Sequence, residues 1–66
     1  MKLTVNGKPV ELPDGSTVSA LLLQLALEPA RVAVERNQDV VPRRTWAEAQ
    51  LNDGDHVEIV TFVGGG

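Results

Sequence analysis

One apolar repeat with helical spacing restricts the folds open to this chain. Val18, Leu21, Leu22 and Leu25 are spaced i, i+3, i+4 and i+7, so they form one face of a helix. A chain of 66 residues supports a single core at most. This helical face must therefore pack on the strands that the rest of the sequence provides.

The ends of this helix are indicated by the residues around it. Ser16 or Thr17 can accept hydrogen bonds from the first free amides of the helix. Pro29 disfavours helical angles at the residue before it, so we predict a helix that runs to about Leu27. Leu23 and Leu27 fall toward its other side, and we expect the connection that follows to cover them; the alternative is contact with a partner.

Segments with a two-residue apolar alternation flank the helix. The Asn6-Gly7 pair between two such segments is typical of a tight hairpin turn. The predicted strands are residues 2–6, 10–12, 31–36, 40–41 and 57–63, with a short helical or irregular crossing at 43–50. The order ββαββ plus a final strand predicts an α+β protein in which a small mixed sheet packs on one main helix. Residues 1–66 form one domain in this interpretation, with 64–66 as a flexible tail.

The last predicted strand has two different faces. Side chains alternate along a strand, so Val57, Ile59, Thr61 and Val63 share the face that we expect in the core. The other face carries Glu58, Val60 and Phe62. Exposed apolar groups near the chain end indicate a docking patch, so Val60 and Phe62 are candidate partner contacts. The alternative is that Phe62 belongs to the core.

The composition argues against an enzyme or a metal protein. Cysteine is absent, so the chain offers neither a thiolate nucleophile nor a thiolate ligand. The single His56 cannot build a multi-histidine site, and Asp53 and Asp55 beside it fit an ordinary turn better than a calcium loop. No serine has a histidine nearby in the sequence. We therefore predict no catalytic residues, no metal site and no bound cofactor.

Charge is distributed unevenly along the chain. All six basic groups lie in residues 1–46, whereas residues 47–66 hold four acids and no lysine or arginine. Nucleic acid is an unfavourable partner without a clustered basic face. A protein with a basic docking groove fits better. No apolar run is long enough to cross a membrane and no signal-peptide core is present, so the expected compartment is the cytoplasm.

The glycines Gly64, Gly65 and Gly66 end the sequence directly after the last predicted strand. Three extended residues reach about 10 Å, which is enough to bring the Gly66 carboxylate into the active site of another protein. Glycine allows a narrow tunnel to close around the main chain because it has no Cβ. The alternative is that these residues are only a frayed chain end.

Several features together resemble the ThiS family of sulfur carriers, whose fold is the ubiquitin-like β-grasp. They are the element order, the length, the segment NQDVVPRRTW at 37–46, the DGD turn at 53–55 and the terminal glycines. The similarity covers essentially the whole chain. In this resemblance Gly65 and Gly66 match a diglycine, and Gly64 occupies a variable position. Arg43 and Trp46 match the motif, and we expect both to be structural.

The resemblance implies a carrier cycle in thiamine biosynthesis. An ATP-dependent adenylating enzyme, related to ubiquitin-activating enzymes, would convert the Gly66 carboxylate into an acyl-adenylate. A cysteine-derived sulfur donor would then give a thiocarboxylate, and thiazole synthase would accept the sulfur. Such a carrier needs no cysteine of its own.

Three alternatives remain open at this stage. The first is a carrier of the same chemistry for another pathway, such as molybdopterin or cysteine synthesis. The second is a non-covalent β-grasp interaction module whose glycines are inert, for which deleting Gly66 would leave function intact. The third is conjugation to proteins through an isopeptide bond.

Overall fold

The computed structural model describes residues 1–62, which form one helix packed on a five-stranded mixed sheet. The order in the sheet is β2-β1-β5-β3-β4, and only the pairing of β1 with β5 is parallel among the described strands. The elements are β1 Lys2–Val5, β2 Lys8–Glu11, α1 Val18–Gln24, β3 Val32–Arg36, β4 Asp39–Val40 and β5 His56–Thr61, with 3₁₀ turns at Pro29–Arg31 and Arg43–Thr45. The predicted fold class is confirmed, and strand boundaries shift by one or two residues.

The predicted helical face forms the centre of the core. Val18, Leu21 and Leu22 are fully buried against the sheet. Thr17 is the N-cap, and its Oγ1 accepts a hydrogen bond from the amide of Ala20 at 3.2 Å. The remaining buried apolar side chains come from the strands and loops: Leu3, Val5, Leu12, Val32, Val34, Trp46, Leu51, Val57 and Ile59.

The helix ends earlier than the sequence predicts. Its last residue is Gln24 and Leu25 is the C-cap, because Ala26 takes a left-handed conformation with φ of 57°. The amide of Ala26 donates to Leu23 O and the amide of Leu27 to Leu22 O, which is the Schellman pattern of helix termination. This pattern leads Leu27 back against the core. Pro29 is therefore not the residue that stops the helix.

The connection after α1 was expected to cover Leu23, but no part of residues 1–62 does so. Its side chain is 81% exposed on the outer side of α1. The early helix end is the reason, since the connection turns toward the core at Ala26 instead of crossing the outer face of the helix.

Ala26→Gly is expected to stabilise the domain by about 0.5–1 kcal/mol. The left-handed conformation costs an alanine about 1–2 kcal/mol, and the greater freedom of glycine in the unfolded chain offsets part of the gain. Urea denaturation monitored by tryptophan fluorescence measures the change. Ala20→Gly in the first turn of α1 is the control and should instead destabilise by about 0.5–1 kcal/mol. A loss of stability in Ala26→Gly would contradict this assignment of the helix end.

Two asparagines hold the central strand from its two sides. Asn6 follows β1, and its side-chain amide both donates to Ile59 O at 3.1 Å and accepts from Ile59 N at 2.7 Å. Asn37 follows β3, and its Oδ1 accepts from His56 N at 2.9 Å. Both begin hairpin turns at positive φ. Each side chain thus continues the pairing with β5 after its own strand has turned away.

Candidate functional site

The sheet has one face that the helix does not cover. Residues opposite each other in neighbouring strands point to the same side, so the pairs Glu35–Glu58, Ala33–Val60 and Glu35–Val40 share this face. Phe62 follows Val60 on the same side by alternation. We call this surface the open face, and it comprises Ala33, Glu35, Val40, Glu58, Val60 and Phe62.

The apolar side chains of the open face are exposed as the sequence predicts. Val60 is 59% exposed and Phe62 is 46% exposed, so Phe62 lies outside the core. Val40 is also exposed, at 70%, and was not predicted as part of the patch. The role of Val60 and Phe62 in docking stays a prediction.

One prediction for the last strand is wrong. Thr61 alternates with Val57 and Ile59 and was expected in the core, yet it is exposed. It lies at the last position of β5, opposite Val32, which is itself fully buried. Alternation gives the direction of a side chain but not whether another element covers it.

Two carboxylates of the open face lie side by side. Glu35 and Glu58 are directly opposite in the antiparallel pair of β3 and β5, and both are exposed. Within residues 1–62 the ion pairs join Met1 to Asp14, Arg31 to Glu28, and Arg36 to Asp55. Neither open-face carboxylate takes part in these ion pairs.

The end of the central strand is fixed to its neighbour. The amide of Phe62 donates a 2.7 Å hydrogen bond to Arg31 O, which continues the pairing of β5 with β3 by one residue. Phe62 is therefore attached to the sheet at the last residue that the structure describes.

Arg43 and Trp46 make contacts at the start of β3, the antiparallel neighbour of β5. The Arg43 guanidinium donates to the carbonyls of Pro29 and Val32 and lies 4.7 Å from the centre of the Trp46 ring. The Trp46 indole is 4% exposed and donates to Val41 O at 2.8 Å. These contacts agree with the structural role predicted for both residues, and they fix the start of β3, where β5 ends.

The predicted reactive residue lies outside the described part of the chain. Gly64, Gly65 and Gly66, together with Val63, follow the last described residue. Their assigned roles, covalent modification at Gly66 and entry of Gly64 and Gly65 into a partner, remain predictions.

The described residues offer no alternative site with catalytic groups. Residues 1–62 contain no cluster of three or more His, Cys, Asp or Glu side chains that could hold a metal ion, and no helix among them has the length and apolar character needed to cross a membrane. A shallow groove of about 340 Å³ lies beside β4. Two polar side chains that line this groove are engaged in the fold. Arg36 donates to Gln50 O, and the Asn37 side chain accepts from His56 N and donates to the Asp55 carboxylate.

The turn at 53–55 is structural, as predicted. Asp55 is buried, and its carboxylate accepts from the amide of Asn52 at 2.8 Å and from the side chain of Asn37 at 3.1 Å. Gly54 has a φ of 86°, which favours glycine. The Asp55 carboxylate is thus engaged in the turn, and Asp53 Oδ1 accepts from the Lys2 amide at 2.7 Å.

Comparison with known proteins gives consistent matches over the whole chain. The model of the ThiS family matches residues 3–66. The sulfur carrier protein ThiS of Bacillus subtilis is 43% identical over 65 residues, which is 97% of this chain and 98% of that protein. A crystal structure of the thiamine biosynthesis protein ThiS from Geobacter metallireducens covers 100% of both chains with 39% identity and a TM-score of 0.84.

A second kind of relative is much longer than this chain. A thiazole synthase of Paramagnetospirillum magneticum is 47% identical over 66 residues, which is all of this chain and 20% of that protein. The chain thus spans about a fifth of the length of that thiazole synthase.

One helix on a mixed five-stranded sheet, with the last strand in the centre between a parallel and an antiparallel neighbour, defines a β-grasp protein. Within this class the matches cover the chain from end to end. The chain belongs to the ThiS family.

Proposed function

We propose that this protein is a sulfur carrier of thiamine biosynthesis that holds sulfur as a thiocarboxylate on Gly66. The observation that carries the proposal is the family match, which extends to residue 66 and so includes the glycines. A relative of matching length and a solved structure of matching fold are both named as ThiS. The domain is a carrier in this account, and the catalytic groups belong to its partners.

The proposed cycle begins with activation of a carboxylate. A carboxylate is a poor electrophile, so an adenylating enzyme joins the Gly66 carboxylate to the α-phosphate of ATP and releases pyrophosphate. A cysteine-derived persulfide displaces AMP to give an acyl disulfide, and a second thiol reduces it to the thiocarboxylate. Because activation consumes ATP, the proposed compartment is the cytoplasm.

The geometry restricts how these partners approach. Phe62 is attached to the sheet through Arg31, and four extended residues from 63 to 66 span at most about 14 Å. An enzyme that reacts with Gly66 must therefore contact the domain near Phe62. The exposed apolar side chains of Val60 and Phe62 lie in this region and are our proposed contacts.

Thiazole synthase is the proposed acceptor of the sulfur. A relative named as a thiazole synthase contains a 66-residue stretch 47% identical to this chain. Carrier-like sequence and the acceptor enzyme thus occur within one polypeptide in that relative. This supports thiazole synthase over the acceptors of other pathways.

Stimulation of ATP–pyrophosphate exchange tests the activation step. We expect the adenylating enzyme of the same organism to exchange labelled pyrophosphate into ATP only when this protein is added, because reversal of the acyl-adenylate regenerates ATP. If that enzyme exchanges pyrophosphate when another ThiS protein is added but not when this protein is added, a non-covalent module would be favoured instead.

Phe62→Ala is expected to weaken binding to the adenylating enzyme by about tenfold, because an aromatic contact commonly contributes 1–2 kcal/mol or more to an interface. Isothermal titration calorimetry measures the affinity. The melting temperature should change little, since Phe62 lies outside the core. Leu23→Ala is the control, because it removes a comparable exposed apolar side chain from the outer side of α1. Equal weakening by both variants would contradict a specific contact at Phe62.

A further inference from the structure

One asparagine of this chain is followed by a glycine. The three asparagines are Asn6, Asn37 and Asn52, and the residues after them are Gly7, Gln38 and Asp53. An asparagine side chain can react with the amide nitrogen of the next residue, and glycine hinders this approach least because it has no Cβ. The chemistry of deamidation therefore favours Asn6 over the other two asparagines.

The reaction forms a ring within the main chain. The Gly7 amide nitrogen gives up its proton and attacks Cγ of Asn6, the carbon–nitrogen bond of the side-chain amide breaks, and ammonia leaves. Water then opens the cyclic imide at one of its two carbonyls, which gives either aspartate or isoaspartate at position 6. Base and water are the reactants that this sequence of steps requires.

The native structure holds the Asn6 side chain away from this reaction. Its amide nitrogen donates to Ile59 O at 3.1 Å, and its Oδ1 accepts from Ile59 N at 2.7 Å. Ring closure requires Cγ to turn toward the nitrogen of Gly7, which breaks both hydrogen bonds. Asn6 and β5 must therefore separate before the side chain can react.

Steric cover does not protect this turn. Asn6 and Gly7 are both exposed, and a Cβ at Gly7 would meet no atom within 4 Å among the described residues beyond its chain neighbours. Water and base thus reach this peptide in the folded protein. The two hydrogen bonds to Ile59 are the contacts that oppose the reaction.

The products do not restore these contacts. An aspartate at position 6 has no side-chain donor for Ile59 O, and it sets a carboxylate oxygen against that carbonyl in place of the amide nitrogen. An isoaspartate also lengthens the main chain by one carbon inside the two-residue turn that joins Val5 to Lys8. Either product weakens the attachment of β5 to the end of β1.

We propose that Asn6 is a spontaneous deamidation site that its contact with Ile59 keeps unreactive in the folded domain. The modification occurs in chains in which β5 has separated from the turn, through local or global opening. It lowers the stability of the domain to which these chains return. Deamidation thus leaves a permanent record in chains that have opened and makes later opening more frequent. This inference is independent of the sulfur chemistry.

The first test follows deamidation of the wild type in mildly alkaline buffer, without urea and in urea above the unfolding midpoint. Peptide mass spectrometry measures the rate at each asparagine. We expect Asn6 to react at least about tenfold more slowly in the folded protein, because the reaction requires opening. In urea Asn6 should react faster than Asn37 and Asn52. An equal rate at Asn6 with and without urea, or faster reaction at another asparagine in urea, would overturn the inference.

The second test measures the consequence in Asn6→Asp, which reproduces one product. Its melting temperature should fall by about 5–10 °C, because the donor to Ile59 O is lost and a charge faces that carbonyl. Gln38→Glu is the control, since it adds the same charge at an exposed position of the other hairpin turn. It should change the melting temperature by no more than about 2–4 °C. A melting temperature of Asn6→Asp equal to that of the wild type or of the control would contradict the proposed effect of deamidation.

Discussion

Deleting Gly66 is expected to abolish adenylation and sulfur loading completely. The deletion shortens the segment after Phe62 by about 3.5 Å, so the new terminal carboxylate no longer reaches the α-phosphate of ATP in the partner. Such reactions require the reacting atoms to lie about 3–3.5 Å apart, and a displacement of this size removes that geometry. Pyrophosphate exchange and intact-mass measurement both report the loss.

The deletion should leave the fold unchanged. Every buried apolar residue of the described core lies between Leu3 and Ile59, so the melting temperature of the variant should equal that of the wild type. Leu23→Ala is the control, because it changes an exposed side chain of α1 and keeps the length of the chain and the terminal carboxylate. Full sulfur loading of the Gly66 deletion would contradict the carrier account and favour an inert glycine segment.

Trp46→Ala is expected to lower the free energy of unfolding by about 3–5 kcal/mol. The indole is almost fully buried, its Nε1 donates to Val41 O, and the Arg43 guanidinium lies over its ring. A domain of this size has a total stability of about 3–10 kcal/mol, so the expected loss is about a third of that total or more. Urea denaturation followed by circular dichroism measures the change, because the variant lacks the fluorescent residue.

Trp46→Phe separates packing from the loss of the hydrogen bond. It keeps an aromatic ring for Arg43 and most of the buried area, and it leaves Val41 O without its indole donor. The expected loss is about 1–2 kcal/mol, well below that of the alanine variant. A loss below about 1 kcal/mol in Trp46→Ala would show that this residue does not belong to the core.

Much of the fold follows from local signals in the sequence. The helical face from Val18 to Leu25 and the Asn6-Gly7 hairpin identify the helix and the first two strands, because both patterns depend on residues close in the chain. The early end of α1 could not be predicted from these local signals, since it depends on Ala26 adopting a left-handed conformation that alanine disfavours. Packing of Leu27 against the core offsets the cost of this conformation. This packing is a tertiary contact, which local sequence patterns do not reveal.

The candidate site was predictable only in part. Alternation along the last strand placed Val60 and Phe62 on the exposed face, as the structure confirms. The Glu35–Glu58 pair escaped prediction because it depends on the register between β3 and β5, which are separated by a hairpin and a loop. The buried residues Val34 and Ile59 are paired and fix the register, and this register places Glu35 directly opposite Glu58.

The intact mass of the protein after reaction most directly tests the central claim. The protein is incubated with its adenylating enzyme, ATP and a cysteine-derived sulfur source, and fragment spectra locate the change, because oxidation of Met1 adds almost the same mass as exchange of oxygen for sulfur. The account predicts replacement of one oxygen by sulfur at Gly66 that depends on ATP. An unmodified Gly66 in the presence of an enzyme that loads another ThiS protein would contradict it.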